Sequence, residues 1–236
     1  MHLQRNIHPV ANGSSDLPEW LQTLIYLLQR DVLAVGLANE LVEGPDLHRR
    51  NALAEKVLAA AAAAGADSVE AALAADASGQ TVDQLISDEA AIIGEKVELR
   101  RVRTLTGDAF EVYLHKTSKD LPPQVGVVLA YTGDDAETAR SLAQHISFAN
   151  PSYLSRDEVP EADVEKEREI VTEISRNEGK PEAALPKIVE GRVNAFFKQV
   201  ALLDQDYAKD NKQSVAKVAA DAGLTLTGFA RFKVGA

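Results

Sequence analysis

The residues that could do chemistry in this chain are five histidines, a large set of carboxylates and no thiol. The histidines are His2, His8, His48, His115 and His145. None stands in a His-x-x-x-His or His-Glu-x-x-His pair, the spacing that puts two imidazoles on one helix face around zinc. The absence of cysteine removes disulfides, thiolate catalysis and Cys-ligated zinc. No Gly-x-x-x-x-Gly-Lys-Ser/Thr loop, Gly-x-Gly-x-x-Gly turn or Gly-x-Ser-x-Gly elbow occurs. The carboxylates fall on charged helical faces, where solvation is their default role. These residues nominate no nucleophile, base or metal. The reading is a protein that is not an enzyme and needs no cofactor.

Composition narrows the partner. Lys and Arg number 25 against 36 Asp and Glu, a formal charge of −11. That excess argues against direct nucleic-acid binding, which needs clustered cations to neutralise phosphates. It leaves protein partners open. No apolar run approaches the ~20 residues of a membrane helix. The stretch Leu17–Leu28 is broken by Pro18, Glu19 and Gln22 and lacks the pattern of a signal peptide. The expectation is a soluble cytoplasmic protein with no membrane contact.

The elements that would position any site read as follows. Residues 1–15 are polar and irregular, an expected disordered start. Asp16, Pro18 and Glu19 make a helix start, and Trp20, Leu21, Leu24, Ile25, Leu27 and Leu28 follow at helical spacing. Val32–Leu37 reads as a strand, and Glu43-Gly44-Pro45-Asp46 as a turn. Residues 51–64 are an alanine-rich helix stopped by Gly65, and Thr81–Ile93 a helix stopped by Gly94. Val97–Val102 alternates as a one-face-buried strand should. After a Gly107-Asp108 turn, Phe110–Leu114 reads as the second strand of a hairpin. Gly126–Tyr131 is a third strand and Ala136–Ala149 a helix. His115 closes a strand before polar Lys116, and His145 lies beside Ile146 as a partly buried packing residue.

From Glu161 the chain becomes dense in charge. Val164, Val171 and Ile174 form a thin stripe, Gly179-Lys180-Pro181 breaks it, and Leu185, Ile188, Val189, Phe196 and Val200 resume it. That is the pattern of an antiparallel coiled-coil hairpin. Ser214–Ala222 is a helix and Leu224–Val234 a closing strand. Mixed elements without βαβ alternation give the class α+β.

Several segments are specific together: Ile93-Gly94-Glu95-Lys96, Leu99-Arg100-Arg101-Val102, Tyr113-Leu114-His115, Ser155-Arg156-Asp157-Glu158-Val159-Pro160, Glu178-Gly179-Lys180-Pro181, Lys187-Ile188-Val189-Glu190-Gly191-Arg192, Phe196-Phe197-Lys198 and Thr227-Gly228-Phe229-Ala230-Arg231-Phe232-Lys233. In order and spacing, residues 51–236 resemble bacterial elongation factor Ts, with an actinobacterial flavour in Asp120-Leu121-Pro122-Pro123 before Gly126. The resemblance implies a guanine-nucleotide exchange factor that binds GDP-bound and nucleotide-free elongation factor Tu and ejects the nucleotide. It implies two small subdomains of antiparallel sheet plus helices, with the coiled-coil hairpin inserted in the second. On this reading residues 1–30 are an atypical N-terminal segment, 31–96 the first core subdomain, 97–160 with 201–236 the second, and 161–200 the hairpin. The family's contact residues carry over to Ile93, Gly94 and His115. In some members the coiled coil serves self-association, in others partner contacts, and both stay open here.

The start departs from the family. Residues 1–40 match nothing of its N-terminal helical domain. Pro45-Asp46-Leu47-His48-Arg49-Arg50-Asn51 stands where Thr-Asp-Phe-Val-Ala-Lys-Asn is expected. Asp46 carries over, while Leu47 replaces the phenylalanine wedge. An alternative follows, a divergent paralogue that binds elongation factor Tu but exchanges weakly.

Overall fold

A computed structural model describes residues 25–28, 31–38, 47–94, 96–116 and 123–233, with the backbone alone for 25–28, 31–38, 47, 48, 50 and 51. The chain divides into two compact units, residues 1–130 with 228–236, and residues 131–227.

In the first unit, strands β1 (Ile25–Leu28) and β2 (Asp31–Ala38) precede helices α1 (Leu47–Ala64), α2 (Val69–Ala74) and α3 (Val82–Ile93). Strands β3 (Glu98–Thr106), β4 (Ala109–His115) and β5 (Val125–Thr132) follow, and β8 (Thr225–Lys233) returns at the end of the chain. One sheet has the order β1-β2-β3, the other β4-β5-β8. In the first, β2 pairs antiparallel with both neighbours, Val32 facing Leu27 and Leu105. The helical reading of the Leu24–Leu28 stripe is corrected for Ile25–Leu28, which is a strand. Ile-Tyr-Leu-Leu is a short apolar run whose periodicity fits either element, and pairing with β2 selects the extended form. Residues 16–24 of that stripe lie outside the described residues. The expected hairpin is also revised: β3 and β4 join through Gly107-Asp108 but belong to different sheets.

The helices form where local chemistry closes their ends. Ser68 and Thr81 cap α2 and α3, their side chains accepting from Ala71 N–H and Gln84 N–H at 3.2 Å each. Gly94 ends α3 in the left-handed region, φ 77°, with its N–H on the carbonyl of Ala90. Sequence patterning missed α2, which is only six residues long. The core under these helices is Leu53, Val57, Leu58, Val82, Leu85, Ile86, Val97 and Leu99, with alanines filling the close approaches. Each large side chain so buried contributes about 1.5–3 kcal/mol. Strand β5 is buried along nearly its whole length, as the centre of a three-stranded sheet should be.

The second unit holds α4 (Ala136–Ala149), α5 (Glu161–Asn177), α6 (Leu185–Val200), the short hairpin β6 (Asp206–Tyr207) and β7 (Asp210–Ser214), and α7 (Val215–Asp221). Short 3-10 turns fall at Arg156–Glu158, Glu182–Ala184 and Leu202–Asp204. Leu142, Ile146, Leu202 and Val215 are fully buried here. Helices α5 and α6 pack along Val171, Val189 and Val193, extended by Val164 and Phe197. Ser175 is wholly buried at this seam, its hydroxyl donating to the carbonyl of Val171 at 2.6 Å, so the helices meet over a small residue.

Candidate partner-binding site

The residues singled out in sequence stand at the ends of elements of the first unit. Helix α3 carries Ile93 as its last residue and Gly94 as its cap. Ile93 is half-buried and Gly94 is exposed. A Cβ added at Gly94 would meet open space, so glycine is held there by its backbone angle and not by crowding. Ile92, the residue before Ile93, is 61% exposed. A single exposed apolar side chain is ordinary on a protein surface, and Phe148 is more exposed still, at 83%. The only sequence signal for Ile92 is a second isoleucine in the last helical turn.

Leu47 opens α1 and is described in its backbone alone, and Asp46 lies outside the described residues. The start of α1 is nevertheless tied to α3. Arg49, two residues after Leu47, donates to Glu89, one turn before Ile93, at 3.1 Å. The pair is partly exposed and contributes little energy by itself. Its use is geometric: it holds the first turn of α1 beside the last turn of α3.

His115 is the last residue of β4 and half-buried. Its Nδ1 is 3.1 Å from the Tyr113 hydroxyl, and its carbonyl accepts the Gln124 N–H at 3.0 Å. The two rings are tilted with centroids 6.0 Å apart. The ring is thus orientated by Tyr113 at a strand end.

The second unit holds the histidine that sequence placed as a packing residue. His145 is 3% exposed. Its Nε2 meets the Gln205 Oε1 at 2.9 Å, and its Nδ1 accepts the Ala208 N–H at 3.2 Å. Gln205 Nε2 donates to the Gln199 carbonyl, so the amide oxygen faces the ring and Nε2 carries the proton. Burial holds its pKa below the usual histidine value, with the Gln205 contact opposing. This is a bracing group and not a reactive one. An open groove of about 770 Å³ lies between α4, the β6–β7 hairpin and α7, lined by Glu137, Ser141, Gln144, Tyr207, Asp210 and Asp221 among others. Two of its carboxylates are locally engaged: Asp135 caps α4 through Thr138, and Asp210 accepts from Gln213 and from Lys212 N–H. Those bonds hold both below the ordinary carboxylate range. Among the described residues no cluster of three His, Cys, Asp or Glu side chains is placed to hold a metal ion, and no helix is long and apolar enough to cross a membrane.

The described residues thus form a protein of mixed helices and antiparallel sheet, the α+β class. The family model described as Elongation factor TS matches residues 49–236, and the chain belongs to that family of translation elongation factors. Elongation factor Ts of Clavibacter michiganensis subsp. michiganensis is 75% identical over 185 residues, 78% of this chain and 67% of that relative. The protein of the same name from Leifsonia xyli subsp. xyli is 67% identical over the same shares. That of Beutenbergia cavernae is 52% identical over 206 residues, 86% of this chain and 73% of the relative. The family match begins two residues after Leu47.

Proposed function

We propose that the chain is a non-enzymatic guanine-nucleotide exchange factor that binds GDP-bound elongation factor Tu and promotes GDP release. The observation that carries this reading is the family match over residues 49–236, which includes the element ends bearing Ile93, Gly94 and His115. Exchange is differential binding: a factor that prefers the nucleotide-free partner must, by reciprocity, weaken GDP. Each tenfold weakening needs about 1.4 kcal/mol of such preference. Ile92 and Ile93 offer apolar area, Gly94 an unobstructed backbone and His115 an orientated ring. These are the groups we assign to partner contact, with Leu47 and Asp46 ahead of them. The α5–α6 pair, with its valine seam, is in this reading an antiparallel coiled-coil hairpin inserted in the second subdomain, and the setting is the cytoplasm.

The test is the release rate of labelled GDP from elongation factor Tu. A catalytic amount of this protein is expected to accelerate release strongly, and an unchanged rate would refute the proposal. A second reading rests on Leu47, which offers less area than the family's phenylalanine and lies ahead of the matched residues. In that case the chain binds but exchanges weakly, and Leu47→Phe raises the exchange rate by about tenfold or more, the scale of an interface anchor. A variant no faster than its parent counts against it.

A further inference from the structure

The base of the α5–α6 pair is joined by four backbone hydrogen bonds. Entering chain 152–154 and leaving chain 200–203 run side by side: Ser152 N–H and Tyr153 N–H both donate to the Val200 carbonyl, Leu202 N–H to Tyr153, and Leu203 N–H to Leu154. Tyr153 and Ala201 form a parallel bridge. Over this seam lies Arg156, in the 3-10 turn just before α5. Its Nε donates to Asp204 at 2.6 Å, its Nη1 to Asn194 at 2.8 Å, and its guanidinium lies 4.8 Å from the centroid of the Phe197 ring. One planar group thus engages the α6 side chains Asn194 and Phe197 and the turn that follows α6.

A single exposed ion pair would count for little. Here the charge is engaged by two acceptors and an aromatic face, and only a planar fork can satisfy all three. We propose that Arg156 is a positioning residue that fixes the bearing of the α5–α6 pair, and that this bearing sets how readily the chain docks on its partner. The lever argument shows why the base matters. Seventeen residues of α5 extend roughly 25 Å. A swing of about 10° at the base therefore moves the far end by about 4 Å, more than an interface contact tolerates.

The docking half of this inference rests on the exchange reading above; the bearing half does not. Because the chain contains no cysteine, spin labels can be attached at Glu137→Cys and Lys180→Cys in the full-length protein, and the distance between them measured by pulsed electron resonance. The parent is expected to give one narrow distance distribution. Arg156→Ala is expected to broaden it, and Arg156→Lys to give an intermediate width, since lysine keeps the charge but not the fork. Where circular dichroism shows that Arg156→Ala does not fold, Arg156→Lys decides. An unchanged distribution overturns the proposal. In the GDP-release assay, Arg156→Ala is expected to raise the factor concentration for half-maximal release about tenfold while leaving the maximal rate unchanged, because the groups assigned to nucleotide ejection lie in the other unit. A broadened distribution with unaltered half-saturation overturns the docking half of the proposal. If the parent itself does not accelerate GDP release, the exchange reading fails, and the distance distributions still decide whether Arg156 sets the bearing.

Discussion

Gly133→Ala is expected to destabilise the second unit by about 3 kcal/mol or more. Gly133 follows β5 with φ 113°, a region that an L side chain rarely enters. A Cβ there would sit 2.6 Å from the Gly223 carbonyl oxygen and 2.9 Å from a Leu224 methyl. The first obstacle is backbone and cannot rotate away. Leu224 is buried and its N–H donates to the Ala219 carbonyl, so moving it would disturb the end of α7. Gly65→Ala is the control: φ is 62° and open space surrounds the site, so only the backbone cost of about 1–2 kcal/mol applies. Urea titrations of the two variants against the parent measure the difference. Equal losses would show that the crowding at Gly133 is relieved by relaxation.

His145 gives the second large effect. The folded state holds the ring neutral, because Nδ1 must stay unprotonated to accept the Ala208 N–H and burial penalises the cation. In the unfolded chain the group titrates near 6.5. The unfolded state therefore binds more protons below that pH, and stability rises with pH through the window. The contribution is complete above about 6.5. It is lost progressively as pH falls below 6.5 towards the lowered folded value, by at most ~1.4 kcal/mol per pH unit. His145→Leu is expected to flatten this dependence between about pH 5 and 7. It should also cost about 2–3 kcal/mol at pH 7.5, since Ala208 N–H and the Gln205 oxygen lose their partner in a buried place. Denaturation midpoints over that pH range provide the test. A parent whose stability is level from pH 5 to 7 would refute the argument. The lowered carboxylates Glu98, Asp135, Glu178 and Asp210 act elsewhere: their contribution is present above the usual carboxylate range and fades only as pH falls through and below about 4.

Much of the architecture could be read from the chain because its signals are local. Thr81 and Gly94 bracket α3, Asp135 and Asn150 bracket α4, and the alanine run ends at Gly65; each is a matter of caps and backbone angles within one turn. The thin apolar stripe on charged helices anticipated Val164, Val171 and Val189 of the α5–α6 seam, but it missed Val193 and Phe197 and included Ile174, which is 43% exposed. The order of motifs from Ile93 to Lys233 pointed to the family that the comparison then established.

What sequence left open depended on partners far along the chain. Ile25–Leu28 fits a helix or a strand by pattern, and pairing with β2 decided the matter. His145 looked like a packing residue because nothing nearby in sequence announces Gln205 and Ala208, some sixty residues on. The role of Arg156 was equally hidden, since Asn194, Phe197 and Asp204 become its neighbours only when α6 folds back beside the entry to α5. Local propensities and caps belong to short stretches of chain and are written there. Hydrogen-bond partners and crowding belong to the closed chain, and only the tertiary structure assigns them.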